Sequence, residues 1–88
     1  MVTHKAMYKF LDDGWVHGEV LDFPGVITCE AGLQKTRTSL ASALAEMAEL
    51  LASDGEALPL PNSKISHPDA DMEEPIYLLI QAAILCSE

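Results

Sequence analysis

The first residues of the chain alternate between apolar and other side chains, which is typical of a β-strand. Within residues 4–11, Ala6, Tyr8 and Phe10 share one predicted face, while the lysines and Met7 share the other. The sequence Asp-Asp-Gly at 12–14 then predicts a turn, because aspartate bonds nearby backbone and glycine accepts positive φ. Residues 15–21 follow as a second strand.

Pairing these strands across the turn fixes their register. Tyr8 then lies opposite Gly18, where an aromatic ring can cover the gap that a strand glycine leaves. The remaining predicted pairs are Phe10–Val16 and Ala6–Val20 on the core face, and Lys9–His17 and Met7–Glu19 on the other face. Pro24 and Gly25 end the second strand, and residues 26–29 form a short third strand.

Residues 32–53 carry an apolar stripe with helical spacing. The stripe consists of Leu33, Leu40, Leu44, Met47 and Leu51, edged by Thr36, Ala43, Ala48 and Leu50. Arg37 interrupts it, so either its stem lies along the surface or the helix begins later, capped by Thr36 or Thr38. Gly55 ends the helix in a left-handed conformation.

The rest of the chain predicts a long connection and a final strand. Residues 56–74 combine prolines with acidic and small polar residues, which is typical of a wrapping or binding loop. Residues 76–86 are apolar at almost every position, which favours a strand buried on both faces, with a short helix as the alternative. The predicted fold is α+β, in the order β-β-β-α-β: an antiparallel meander sheet with one long amphipathic helix on one face. No helix is left for the other face.

Length and charge narrow the function classes. The 88 residues predict a single domain, 1–88, and the formal net charge is −9. Nine acids but one lysine occur from residue 38 onward, so −8 of that charge lies there. Such a chain repels phosphate and is not expected to bind nucleic acid directly. It suits a basic partner, although a solvated acidic surface is the commoner reason for this balance.

Little in the sequence indicates catalysis, a metal site or a membrane. Cys29 and Cys86 belong to no paired motif and are predicted to be buried, reduced thiols of a cytoplasmic protein. The histidines lack metal-site spacing, and the aspartates at 12–13 serve the turn. No stretch forms a signal peptide or reaches the ~20 apolar residues of a membrane span. We expect no enzyme activity, no cofactor and no metal.

In their order and spacing, these segments resemble the HicB-like antitoxin family. The resemblance rests on the strand through Tyr8, on DDGWVHGEV, DFPGVIT and the helix, and on SDGEALPLP, and it spans roughly residues 8–61. It implies a partial ribonuclease-H-like fold that lacks the nuclease's carboxylate cluster. It also implies a dimer or higher oligomer that masks HicA, a small basic ribonuclease related to double-stranded-RNA-binding domains.

The chain departs from that family pattern in several places. Residues 30–32 are Glu-Ala-Gly where Gly-Asp-Thr is usual, and Arg37 stands where a leucine is usual. We also expect a single HicB-like domain that lacks the C-terminal DNA-binding module of full-length antitoxins. The alternative function is therefore that of a solitary HicB-like oligomeric domain without a toxin, with a small-molecule-sensing or regulatory role.

Two sets of residues are expected to make intermolecular contacts. The centre of the partner contact is predicted to be Trp15, His17 and Glu19, on the exposed strand face. The acidic rim of that contact is predicted to be Asp69, Asp71, Glu73 and Glu74. Self-association into a homodimer or homotetramer is predicted to use the apolar final strand, through Ile76, Tyr77, Leu78, Leu79 and Ile80.

Overall fold

A computed structural model describes residues 2–78, which form an antiparallel sheet with one helix packed on one of its faces. The strands are β1 (Val2–Phe10), β2 (Trp15–Val20), β3 (Ile27–Ala31) and β4 (Met72–Leu78), and the helix α1 is Leu33–Ser53. The strand order across the sheet is β3-β2-β1-β4. The α+β class and the order β-β-β-α-β are confirmed.

The hairpin of β1 and β2 has the predicted register at every predicted pair. Its turn, Asp12–Gly14, contains two residues with positive φ, 64° at Asp13 and 83° at Gly14. Gly18 is needed because a Cβ there would lie 2.7 Å from Thr36 Cγ2 and 3.4 Å from the Tyr8 ring. The aromatic ring thus covers the strand glycine as expected, and the helix closes over both.

The hydrophobic core lies between α1 and the sheet face that carries the even-numbered residues of β1 and β2. Tyr8, Phe23, Leu40 and Leu44 are each at most 1% exposed. Phe10 was expected on this face, but it is 49% exposed because it is the last residue of β1, at the margin of the sheet.

The helix begins at Leu33, before Arg37, so the later start with a threonine cap is wrong. The Arg37 guanidinium extends to β4 and binds the Glu74 carboxylate through two 3.0 Å hydrogen bonds. Leu50, expected at the edge of the apolar stripe, is instead 56% exposed. Gly55 has a φ of 75°, which confirms the left-handed residue at the helix end.

The connection between α1 and β4 crosses to the sheet face opposite the helix. Lys5 Nζ donates hydrogen bonds to the carbonyl oxygens of Ser63 (3.0 Å) and Ile65 (2.9 Å), and Lys9 Nζ to that of Asp69 (3.5 Å). Met7, between these two lysines on the same face, is only 2% exposed. Among residues 2–78 no helix lies on this face, and along β1 it is covered by the loop, which the sequence predicts as a wrapping or binding segment.

β4 begins earlier than predicted and is buried on one face rather than two. Ile76 and Leu78 are 7% and 3% exposed in the core under the helix, whereas Tyr77 is 57% exposed on the opposite face. Ile76 and Leu78 thus pack within the chain, and Tyr77 is the outward member of the predicted self-association strand. Leu79 and Ile80 lie outside the described residues. No helix among residues 2–78 is long and apolar enough to cross a membrane.

Candidate protein-binding face

The part of the sheet that neither the helix nor the loop covers is formed by β2 and β3. Strand pairing sets its outward residues side by side, in the pairs Trp15–Ala31, His17–Cys29 and Glu19–Ile27. These six residues are called the open face below. All three predicted central contact residues therefore lie together on it, as a consequence of the two-residue period of a strand.

Apolar side chains dominate the exposed area of the open face. Trp15 is 46% exposed and Ile27 55% exposed, and the neighbouring Cys29 and Ala31 are exposed as well. Contiguous apolar surface on a soluble domain often marks an interaction site. The prediction of a buried thiol is wrong for Cys29, because its side chain alternates onto this uncovered face. Cys86 lies outside the described residues.

One polar pair lies in the middle of the open face. His17 Nε2 is 3.3 Å from Glu19 Oε1, and both side chains are 32% exposed. A carboxylate has two oxygens and accepts several hydrogen bonds at once. Glu19 therefore retains acceptor capacity for a cationic or N–H donor of a partner while it stays oriented by His17.

Two of the predicted rim acids serve the fold. The Asp71 carboxylate accepts the backbone N–H of Phe10 at 2.7 Å and so holds the start of β4 to the end of β1. Glu73 accepts the backbone N–H of His67 at 3.0 Å, and its other oxygen lies 3.8 Å from Lys5 Nζ. These carboxylates fix the loop, which makes them poor candidates for a freely available rim.

Glu74 is also engaged, on the helix side of the sheet. Hydrogen bonds from Arg37 hold the pKa of the Glu74 carboxyl below its usual range, and the same contact raises the pKa of Arg37. Burial, and then the nearby Glu74 carboxylate, raise the pKa of the Tyr8 phenol. Asp69 differs from the other three, since within residues 2–78 its carboxylate has no hydrogen-bond or ion-pair partner.

Two exposed acids lie beside the open face, in the hairpin turn rather than in the acidic part of the chain after residue 38. Asp12 and Asp13 form the turn that leads directly into Trp15, and both are exposed. From the sequence, only a role in the turn is predicted for these two aspartates. Their position follows from the hairpin register, which brings the turn and the aromatic ring to the same end of the sheet.

A separate cleft of about 340 Å³ lies where the loop meets β1 and β4. Its polar groups are largely bonded to one another: the buried Asp22 carboxylate accepts the backbone N–H groups of Lys5 and Asn62, each at 2.8 Å. Nearby, His4 Nε2 donates to the Pro59 carbonyl at 3.1 Å. These contacts anchor the loop and were not foreseen. Within residues 2–78 no three potential ligands are grouped as a metal site.

Two crystal structures share this fold. The N-terminal domain of the Burkholderia pseudomallei antitoxin HicB matches with a TM-score of 0.75 at 15% sequence identity, covering 90% of this chain and 100% of that one. The Burkholderia pseudomallei antitoxin HicB matches with a TM-score of 0.73 at 17% identity, covering 100% of this chain and 70% of that one. The predicted HicB-like fold is therefore confirmed.

A sequence match identifies the family to which this chain belongs. Residues 2–59 match the UPF0150-like family, and the chain belongs to that family. Among curated proteins, none matches the sequence significantly.

Proposed function

We propose that this chain is a non-catalytic binding protein that neutralises a small basic toxin, a HicA-like ribonuclease, by covering it with the open face. The fold shared with antitoxin HicB supports an antitoxin-type role. The observation that carries the proposal is the half-exposed Trp15, which lies next to an acidic turn on a sheet face that residues 2–78 leave uncovered.

The side chains of the open face are suited to the centre of a protein–protein interface. Binding energy at protein interfaces concentrates in a few residues, among which tryptophan is enriched, and surrounding contacts exclude water from them. Trp15 has exposed Ile27 and Ala31 on the adjoining strand, and Ala31 is its direct cross-strand neighbour. A partner that covers these side chains would bury an aromatic ring in an apolar setting.

Charge supplies the preference for a basic partner. The chain carries −9, and Asp12, Asp13 and Asp69 present exposed carboxylates. Complementary charge speeds encounter and excludes wrong partners, and its effect weakens as salt increases. Glu19 adds an acceptor within the contact itself. The revised acidic rim is thus Asp12, Asp13 and Asp69, in place of the acids that hold the loop and β4.

The test is an RNA-cleavage assay with a HicA-like ribonuclease from the same organism. We expect the wild-type protein to stop cleavage near equimolar ratio, and Trp15→Ala to need a large excess. Phe10→Ala is the matched control, because Phe10 is also an aromatic residue about half exposed (49%) at the same end of the sheet, but on the other face.

The outcomes separate the competing interpretations. Undiminished cleavage at a molar excess of wild-type protein would overturn the antitoxin proposal and favour an oligomeric domain that acts without a toxin. Equal weakening by Trp15→Ala and Phe10→Ala would overturn the assignment of the open face.

A further inference from the structure

We propose that residues 63–70 form a strap that opens as a unit while the core stays folded. When closed, the strap withholds the β1 part of the sheet face to which the open face belongs. Opening uncovers Met7 and releases the Lys5 ammonium group. It needs neither a toxin nor any other partner, so it is a property of the isolated chain.

Both ends of the strap are fixed to the sheet. Before the strap, the backbone N–H of Asn62 donates to the Asp22 carboxylate at 2.8 Å, and Asp22 is only 7% exposed. After the strap, the Asp71 N–H donates to the Tyr8 carbonyl oxygen at 2.9 Å. The Asp71 carboxylate also accepts the N–H of Phe10 at 2.7 Å. The residues between these anchors can therefore leave the sheet while the helix and β4 stay in place.

Polar contacts hold the middle of the strap, with little burial of apolar side chains. Ile65 is its only large apolar residue, and it is partly exposed. Within residues 2–78, four hydrogen bonds join the strap to the sheet: from Lys5 Nζ to the carbonyl oxygens of Ser63 (3.0 Å) and Ile65 (2.9 Å), from Lys9 Nζ to that of Asp69 (3.5 Å), and from the His67 N–H to Glu73 (3.0 Å). A segment with few buried apolar contacts opens at a lower free energy than the core.

Met7 lies under the strap, between Lys5 and Lys9 on the same face of β1. It is only 2% exposed, although no helix among residues 2–78 packs on this side of the sheet. Val20 is equally buried (2%), but it belongs to the core under the helix. The burial of Met7 therefore depends on the closed strap, whereas the burial of Val20 depends on the core.

The surface under the strap continues the open face. Strand register sets Met7 beside Glu19 and Glu19 beside Ile27, in one row across three strands. Opening extends the exposed apolar surface from β2 and β3 onto β1. It also frees the Lys5 ammonium, which the closed strap pairs with two carbonyl oxygens. The strap thus sets both the apolar area and the charge of this face.

The direct test compares the reaction rates of two buried thiols with a thiol reagent, in a Cys29→Ser, Cys86→Ser background. Met7→Cys reports opening of the strap, and Val20→Cys reports exposure of the core. We expect Met7→Cys to react at least about tenfold faster, because local opening is more frequent than global unfolding. Urea denaturation of each variant gives the rate expected from global unfolding alone. If both thiols react at that rate, Met7 is exposed only when the core unfolds, and the proposal is overturned.

Limited trypsin digestion provides a second readout without engineered cysteines. Lys64 lies in the strap and Arg37 in the helix, so the wild-type protein contains a trypsin site in each unit. We expect cleavage after Lys64 in the absence of urea, and cleavage after Arg37 only at urea concentrations that unfold the core. Cleavage at both sites together, at every urea concentration, would contradict independent opening.

Lys5→Met tests what holds the strap closed. This variant removes the ammonium group that binds two strap carbonyl oxygens, so cleavage after Lys64 should become about tenfold faster. Lys35→Met is the matched control, because Lys35 is an exposed helix lysine without a hydrogen-bond or ion-pair partner in residues 2–78. We expect its cleavage rate after Lys64 to equal that of the wild type. Equal rates in Lys5→Met and Lys35→Met would overturn the role of Lys5 in closing the strap.

Discussion

Neighbouring residues of β2 lie in opposite environments: Trp15 is 46% exposed, and Val16, the next residue, is 4% exposed. The same strands thus build two different faces. The face toward α1 is closed by Tyr8, Leu40 and Leu44. On the open face, the apolar side chains of β2 and β3 are not covered by any other part of residues 2–78. One face of this sheet is therefore committed to folding, and the other is available for contact.

The largest effect that this comparison implies concerns the closed face. Leu44 is fully buried, so Leu44→Ala should lower the free energy of unfolding by about 2–5 kcal/mol, or prevent folding altogether. Leu50→Ala is the control on the same helix, because Leu50 is 56% exposed and should change stability little. Urea denaturation of both variants tests this, and equal losses would mean that the helix packs differently.

Gly18→Ala should have the next largest effect. The added methyl would lie 2.7 Å from Thr36 Cγ2, and overpacking of this kind costs about 1–3 kcal/mol. Thr36→Ser removes that methyl but keeps the hydroxyl, whose one proton is shared between the carbonyl oxygens of Gly32 (2.8 Å) and Val16 (3.1 Å). Thermal melts of the double variant should therefore show partial recovery, and no recovery would place the strain elsewhere.

A smaller, pH-dependent effect is expected from Glu74. Its pKa is lowered in the folded protein, chiefly by the hydrogen bonds from Arg37, so the stabilisation is present above the unfolded pKa of about 4.3 and is lost as pH falls through the lowered folded value. The stability difference between wild type and Glu74→Gln should therefore shrink on acidification below about pH 5.

Glu46→Gln provides the control for that titration, since Glu46 is an exposed helix carboxylate without an ion-pair partner in the described residues. Denaturation midpoints measured across the acidic range should be parallel for wild type and Glu46→Gln. A difference between wild type and Glu74→Gln that is independent of pH would contradict the role of the carboxylate charge.

The smallest effect on stability is expected on the open face. Trp15→Ala should lower the free energy of unfolding by less than about 1 kcal/mol, because Trp15 is already 46% exposed. Urea denaturation beside Leu44→Ala measures this directly. A loss as large as that of Leu44→Ala would show that Trp15 serves the fold, and the contrast between the two faces would fail.

The hairpin and the helix could be predicted because their signals are local and periodic. The two-residue period of β1 and β2 and the turn at 12–14 fixed every pair in the hairpin, and the three-to-four-residue period of 33–53 placed Leu40 and Leu44 in the core. The same alternation placed Trp15, His17 and Glu19 on one face of β2. The other residues of the candidate site cannot be predicted from the strand period alone.

The path of the loop could not be predicted in this way. It is set by single bonds between residues far apart in sequence, such as Lys5 to the Ser63 carbonyl and Asp22 to the Asn62 N–H. Single long-range bonds of this kind produce no periodic pattern in the sequence. Counting charges likewise cannot tell a free carboxylate from one that is bonded, so the acids at 71, 73 and 74 were assigned to a rim although they hold β4 and the loop.

The most direct test of the open face is the dissociation constant of the complex with a HicA-like ribonuclease, measured by calorimetry for wild type, Trp15→Ala and Phe10→Ala. A central aromatic contact contributes 2 kcal/mol or more, so Trp15→Ala should weaken binding about 30-fold or more while Phe10→Ala leaves it unchanged. Binding of wild-type strength by Trp15→Ala, with both variants folded, would contradict the assignment of this face as the contact surface.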